Sequence, residues 1–227
     1  MPFLTDKYPR TMHFHFSPGA KNDDRIATSL DEMRLLSKDL VYTEKLDGEN
    51  TCIKQDGIYA RTHSVVNRNE WAHYLWSKWA TIKNELHGLE IFGENMYAVH
   101  SIEYQRLPDY FFVFAIRDGD LWYEWDEVKW FANYFNFSVV PEFPVEMIMG
   151  NLNVQVHKML PIREVIGLLM TMPNFGNSIE GVVVRNRESF TTDEFDYNVL
   201  KYVRKDHVQT DEHWTKHWKK AKLINGC

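Results

Sequence analysis

Cysteine is nearly missing from this 227-residue chain, which holds only Cys52 and Cys227. Two thiols, one of them at the last position, build neither a disulfide framework nor a cysteine-based metal site, and such usage fits a reducing, intracellular compartment. Long apolar runs are missing too: none approaches the roughly 18 consecutive residues that a membrane-spanning helix needs. The opening stretch MPFLTDKYPR has neither the basic nor the apolar region of a secretory signal. The expectation is a soluble protein with no membrane partner. No internal repeat, low-complexity tract or Ser/Gly linker marks a domain boundary. Neither GxGxxG nor GxxxxGK[ST] occurs, so the two glycine-rich loops that cradle phosphates are excluded and any nucleotide must be held another way. Ten histidines include His13 and His15, two apart, and His207, His213 and His217. Without HExxH or paired Cys/His spacing, structural zinc is not expected; His207 and His213 are read as caps of backbone groups or phosphate contacts.

What is present is globular. Hydrophobic residues make up 44% and charged residues 26%, which argues against disorder. Eight Trp, eleven Tyr and fourteen Phe predict a well-packed interior, with Trp71, Trp79 and Trp130 among its core rings. The net charge of −6 is unevenly spread: residues 201–222 carry seven Lys and Arg against three Asp and Glu, a local +4 on a body of −10. A basic tail on an acidic body reads as a phosphate footprint or as a solvated helix face.

Helical period and caps predict helices at 30–38, with Ser29 and Glu32 as capping box, and at 70–86, 124–135, 162–171 and 211–222. Strand-like runs occupy 50–55, 58–62, 89–93, 110–116, 121–123, 180–185 and 197–203. Gln55-Asp56-Gly57 and Arg117-Asp118-Gly119-Asp120 have hairpin-turn chemistry. Strands meeting through hairpins, with helices interspersed irregularly, predict an α+β fold of antiparallel sheets.

The sharpest local feature is Glu44-Lys45-Leu46-Asp47-Gly48. A lysine among acids on a loop reads either as a surface ion pair or as a nucleophile, which attacks only when its amine is neutral. The segments that follow bear on that choice. Tyr59-Ala60-Arg61 ends a strand on a cation, and Ile91-Phe92-Gly93-Glu94 ends one on a carboxylate. Phe111–Ile116 is an aromatic strand; Glu180-Gly181-Val182-Val183 enters another; Lys201-Tyr202-Val203-Arg204 is a cationic one. In this order the series resembles the covalent nucleotidyltransferases: ATP-dependent DNA ligases, RNA ligases and mRNA capping enzymes. The resemblance runs from about residue 40 to 205. Phe16-Ser17-Pro18-Gly19 with Asp23-Asp24-Arg25, and the tail from Lys201 to Trp214, are most similar to the RNA ligase branch.

The resemblance implies a nucleotidyltransferase (ATP-grasp-like) domain of antiparallel sheets flanked by helices, with the nucleotide pocket between the sheets. One adenylyltransferase domain would fill 1–227, with a basic helical segment at about 205–222 and no separate OB-fold. It implies an ATP-dependent RNA ligase that joins 3′-hydroxyl and 5′-phosphate ends through lysyl-AMP and adenylated RNA, with ATP as AMP donor and Mg²⁺ or Mn²⁺ as the ion. Lys45 would be the nucleophile. Asp47 and Glu180 would hold the metal, and Lys201 would contact the α-phosphate and favour the neutral Lys45 amine by like-charge repulsion. Glu94 would accept from a ribose hydroxyl, Arg61 would touch ribose or phosphate, and Phe114 would stack on adenine, with Phe112 on the same strand face. Glu44 would approach the adenine edge, and Gly48 and Gly181 would let backbone approach the nucleotide. The family pattern Lys-x-Lys is broken: Arg204 comes one place late, so either the strand bulges or Arg204 serves pyrophosphate or the RNA backbone. The partner would be RNA, with DNA as the alternative and an accessory protein for grip. Competing readings are DNA ligation, GTP capping, AMP transfer to a protein or small molecule, and a non-catalytic nucleic-acid-binding module.

Overall fold

The computed structural model describes residues 7–61, 65–145, 161–205, 215 and 218–224. The mixed α+β expectation holds. Two sheets face each other. The first has the order β1 (Met12–His13), β11 (Val199–Val203), β9 (Gly181–Asn186), β2 (Leu40–Lys45), antiparallel except for the β1·β11 pair. The second has seven strands: β10 (Phe190–Thr191), β7 (Leu121–Trp122), β6 (Phe111–Asp118), β5 (Leu89–Asn95), β3 (Glu49–Lys54) and β4 (Gly57–Ala60), with β8 (Ser138–Val139) parallel to β6.

Strand alternation divides the interior into three layers. Tyr42, Val182, Val184 and Leu200 turn outward from the first sheet, under Leu35 of α1 (Ser29–Leu36) and Val165, Ile166 and Leu169 of α4 (Ile162–Leu169). Ile53, Ile58, Ile91 and Ile116 turn outward from the second, under Leu75 and Ile82 of α2 (His73–Ile82) and Val128 and Ala132 of α3 (Trp125–Tyr134). Between the sheets Cys52, Phe92, Ala115, Trp122 and Val199 close a third cluster. Among the described residues no helix is long and apolar enough to cross a membrane.

Several local expectations shift. Residues 40–45 form a full strand, so Lys45 ends a strand instead of sitting on a loop. The α1 cap is Thr28, not Ser29: its side chain accepts from Asp31 N–H, and Asp31 accepts from Thr28 N–H at 2.9 Å. Glu32 instead accepts from the His15 backbone at 2.8 Å. Trp130 is 58% exposed and stacks on Tyr134 at 5.4 Å, since α3 turns positions 125, 128 and 132 to the core and 130 and 134 to the other side. Residues 206–214, with His207 and His213, lie outside the described residues, as does His217. Residues 218–223 are not helical as expected. They run extended along 97–107, with Val99 N–H donating to Lys219 and Ala221 N–H donating to Tyr97, each at 2.8 Å, and with Trp218 against Trp71 and Tyr97. Ring-to-ring burial there outweighs helix propensity in a segment of mixed pattern.

Candidate active site

Lys45 is the last residue of β2 in the first sheet, and Glu49 is the first residue of β3 in the second. The tripeptide Leu46-Asp47-Gly48 is therefore the crossover between sheets. Register then fixes the inner face. Lys45, Gly181 and Val203 lie in one row across β2, β9 and β11; Thr43, Val183 and Lys201 lie in the next row of that face. Opposite, Asn50, Glu94 and Phe112 form one row and Cys52, Phe92 and Ala115 another. A cavity of about 560 Å³ occupies the space between these faces. Its walls include Glu44, Lys45, Arg61, Glu94, Phe114 and Lys201, six of the residues expected from sequence.

Gly181 and Gly48 are required for close packing against neighbouring backbone, and Gly48 also lines the cavity. A Cβ at Gly181 would lie 2.0 Å from the Tyr202 carbonyl oxygen, and one at Gly48 would lie 2.7 Å from Asn95 O. The β5·β6 ladder slips at Phe92/Gly93. Ala115 pairs with Phe92 and Val113 with Gly93, which leaves Phe114 as the extra residue of a bulge. That bulge, rather than plain alternation with Phe112, brings the Phe114 side chain to the cavity wall. Arg185 fixes it by donating to Phe114 O at 3.3 Å and Tyr123 O at 2.9 Å.

Charges crowd the crossover. Lys45 Nζ pairs with Glu180 Oε2 at 2.7 Å. Asp47 is tied at both ends, its N–H donating to Tyr104 Oη at 2.9 Å and its Oδ2 accepting from Ile102 N–H at 2.8 Å. Gly48 N–H donates to Glu94 Oε1 at 3.1 Å. Burial pulls the Lys45 amine down, but Glu180, Glu94 and Asp47 outweigh it and hold the amine well above its ordinary range. The expected discharge of Lys45 by Lys201 is therefore not what the free protein does. Instead Lys201 is the group pushed down, to about 8, first by burial and then by Lys45. Burial, reinforced by Glu180 and Asp47 against the pull of Lys45, lifts Glu94 to about 8.

Glu44 is 1% exposed. Its Oε2 accepts from Asn174 N–H at 3.0 Å and Asn174 Nδ2 at 2.8 Å, while Oε1 is buried with no hydrogen-bond partner among the described residues, and burial raises its carboxyl. Arg204 is not among the lining residues. The β9·β11 register runs unbroken through Val203, so no bulge returns Arg204 to the Lys201 face. Its N–H donates to Glu180 O at 3.0 Å. Sequence reasoning missed Tyr8, Thr11, Glu49, Asn50 and Arg185, all of which line the cavity. Asn50 and Arg185 could have been found by stepping two along β3 from Cys52 and along β9 from Val183; Tyr8 precedes every element and carries no such signal.

Asp47 and Glu180 offer only carboxylate oxygen, the donor type of a hard divalent cation. Among the described residues no group of three or more His, Cys, Asp or Glu is placed to hold a metal alone, so phosphate oxygens or water would complete the shell. His13 instead meets Ser17 Oγ at 2.9 Å, and His15 meets Glu32 at 2.9 Å.

Two facing antiparallel sheets with a lysine at their crossover and an inter-sheet cavity define a nucleotidyltransferase fold of the ligase kind. Solved structures agree. An archaeal ATP-dependent RNA ligase superposes with TM-score 0.53 at 15% identity over 87% of this chain and 48% of its own. A Naegleria gruberi RNA ligase mutant with ATP and Mn superposes with TM-score 0.54 at 14% identity over 92% and 59%. An Aquifex aeolicus chain, provisionally titled an ATP-dependent DNA ligase, gives 0.50 at 16% over 87% and 50%. The chain thus spans about half the length of these structures, and at such identities the likeness establishes the fold. A search of curated proteins finds no match. The RNA ligase family model matches residues 38–203, and the chain belongs to the RNA ligase family.

Proposed function

We propose that this chain is the adenylyltransferase domain of an ATP-dependent RNA ligase. The observation that carries the reading is Lys45 at the sheet crossover, paired with Glu180 and opening on a cavity that also holds Glu94, Arg61 and Lys201. In the first step the neutral Lys45 Nζ attacks the α-phosphorus of ATP. An N–P bond forms, the bond to the bridging oxygen breaks, pyrophosphate leaves with that electron pair, and the amine loses its remaining extra proton to solvent. In the second, a 5′-phosphate oxygen attacks the lysyl-AMP phosphorus, the N–P bond breaks, and the Lys45 nitrogen takes a proton from solvent and leaves as amine. In the third, a 3′-hydroxyl attacks the 5′-phosphate, sealing the strand and expelling AMP.

Lys201 and Arg61 supply the cations that the phosphates need, and positioning of this kind is what phosphoryl-type transfer mostly requires. Glu94 serves the ribose hydroxyls, which its lifted pKa lets it do as donor or acceptor. Phe114, re-aimed by its bulge, is the ring for adenine, and Glu44, held by Asn174, closes the base edge through its backbone. Mg²⁺ or Mn²⁺ would be held by Asp47 and Glu180 and would neutralise phosphate charge. Arg204, just after β11, serves pyrophosphate or the RNA backbone. RNA with 5′-phosphate and 3′-hydroxyl ends is the substrate, gripped through the basic segment 201–222 or an accessory protein. A non-catalytic module is disfavoured because Lys45, Asp47, Glu94, Glu180 and Lys201 are all retained.

Intact mass after pyrophosphate stripping and incubation with ATP and Mg²⁺ tests the reading. Wild type should gain one AMP and Lys45→Ala none; no gain by wild type, with GTP also tried, refutes it. A panel of nicked RNA and DNA duplexes then decides between RNA and DNA ligation.

A further inference from the structure

Part of the cavity wall comes from a segment that precedes the first strand. Tyr8, Pro9 and Thr11 line it, while Met12 and His13, directly after, are hydrogen-bonded into the first sheet beside Leu200 and Lys201. The segment therefore starts against one sheet and ends in the other. The Tyr8 ring sits in a box of second-sheet and loop aromatics: Phe92 at 5.5 Å, Phe114 at 5.0 Å, Trp122 at 5.4 Å and Phe195 at 5.2 Å. Three of the four contacts, Phe114 included, are edge-to-face, the arrangement that puts the positive ring edge on a negative ring face. Burial raises the Tyr8 hydroxyl to about 12, and the Thr11 side chain is its hydrogen-bond partner.

Phe114 is the unpaired residue of a bulge, so its ring lacks the cross-strand neighbour that would otherwise fix it. Arg185 holds its carbonyl, and Tyr8 is the ring packed edge-on against its side chain. We infer that Tyr8 is a positioning residue of the base end of the cavity, acting through Phe114 to fix the aromatic wall on which the purine of ATP stacks. This rests on the proposed ATP-dependent adenylylation. Stacking on a preset ring costs less ordering entropy than stacking on a mobile one, so the effect falls on nucleotide affinity and not on the chemical step.

The test measures adenylylation of Lys45 against ATP concentration, and equilibrium binding of α,β-methylene ATP, which cannot release pyrophosphate. Tyr8→Ala should raise KM for ATP and weaken analogue binding about five- to tenfold, with the maximal rate within about twofold of wild type. Tyr8→Phe, which keeps the ring, should match wild type. In a Phe114→Ala background, Tyr8→Ala should add less than about twofold, because the two act as one unit. Tyr8→Leu fills the volume without a ring and should show the same KM rise at a smaller cost in Tm, which keeps the test sound if Tyr8→Ala folds poorly. Wild-type affinity in Tyr8→Leu, or independent multiplication of the Tyr8 and Phe114 effects, overturns the positioning role alone. A wild type that neither takes AMP nor binds the analogue overturns this role together with the proposed function.

Discussion

Glu180→Gln sets two roles of one carboxylate against each other. In the free protein Glu180 restrains Lys45, the proposed nucleophile, with Oε2 at 2.7 Å from Lys45 Nζ, one side chain 7% and the other 25% exposed. It is the first carboxylate among those holding the amine protonated. Replacing it by a neutral amide of the same shape lowers the amine pKa, and each unit of lowering is a tenfold gain in neutral amine at neutral pH. If restraint were its only role, adenylylation would speed up. If Glu180 also holds the metal, the loss of that charge should cost about 10²–10³ in rate, as losing one preorganised electrostatic group typically does. The second effect should win. Stability moves too: removing one partner of a buried ion pair costs about 3–5 kcal/mol. Here the amide still accepts a hydrogen bond and Lys45 is partly exposed, so about 1–3 kcal/mol is expected. Urea unfolding gives the stability change, and intact-mass time courses between about pH 6 and pH 9 give the rate. Adenylylation at wild-type speed or faster would refute the metal role. A stability change under about 0.5 kcal/mol would show that the pair does not form in solution.

Other expectations are cheaper to check. Glu94 sits at about 8 against an ordinary 4.5, so between those values the native state binds more protons than the unfolded chain. Stability from this group is complete below about pH 4.5 and falls as pH rises through 8, by up to about 1.4 kcal/mol per unit; in Glu94→Gln the Tm should lose that slope, and an unchanged slope would sink the assignment. Gly181→Ala drives a methyl into the Tyr202 carbonyl and must part β9 from β11, moving Glu180 and Lys201 together. Its cost should reach about 3 kcal/mol or more with lost adenylylation, and a wild-type Tm would contradict the packing. Thr28→Ala should cost about 1 kcal/mol by thermal unfolding and Ser29→Ala only a few tenths; the reverse order would move the cap back to Ser29.

The hairpins were legible because their turns carry their own chemistry. Gln55-Asp56 leads into Gly57 at φ +156°, and Gly119 at φ +58° joins β6 to β7, conformations that glycine reaches without strain. Strand β2 was not legible past Leu40-Val41. Thr43 and Lys45 look like loop residues because the face they line is a polar cavity and not a core, and Glu44 between them turns its buried carboxylate to Asn174. Nor could local pattern show that β1 would pair in parallel with β11, almost 190 residues away, or that the β5·β6 ladder would slip and re-aim Phe114. Trp130 misled for another reason: an aromatic ring signals burial on average, whereas α3 assigns its inner face by 3.6-residue period alone.

Residue order led to much of the cavity lining, though not to Asp47, Glu180 or Arg204 as lining residues, and it was a poorer guide to the electrostatics. From the chain, Lys201 is the neighbour that should discharge Lys45. Once folded, Lys45 faces Glu180, Glu94 and Asp47, and these three carboxylates outweigh the cost of its burial. Lys201 is the amine pushed down instead, to about 8, first by its burial and then by the neighbouring Lys45 cation. With Lys45 as the proposed nucleophile, this arrangement would keep it safe when no nucleotide is bound, since its proton and its salt bridge must both be lost before it can attack. A triphosphate alone would not free it, because more negative charge holds the ammonium more firmly. On the proposed function, a metal ion held by Glu180 would free the Lys45 amine, so the Lys45–Glu180 pair would tie activation of the nucleophile to arrival of the metal with ATP. That coupling follows from a 2.7 Å contact between residues 135 positions apart, and no reading of either motif alone contains it.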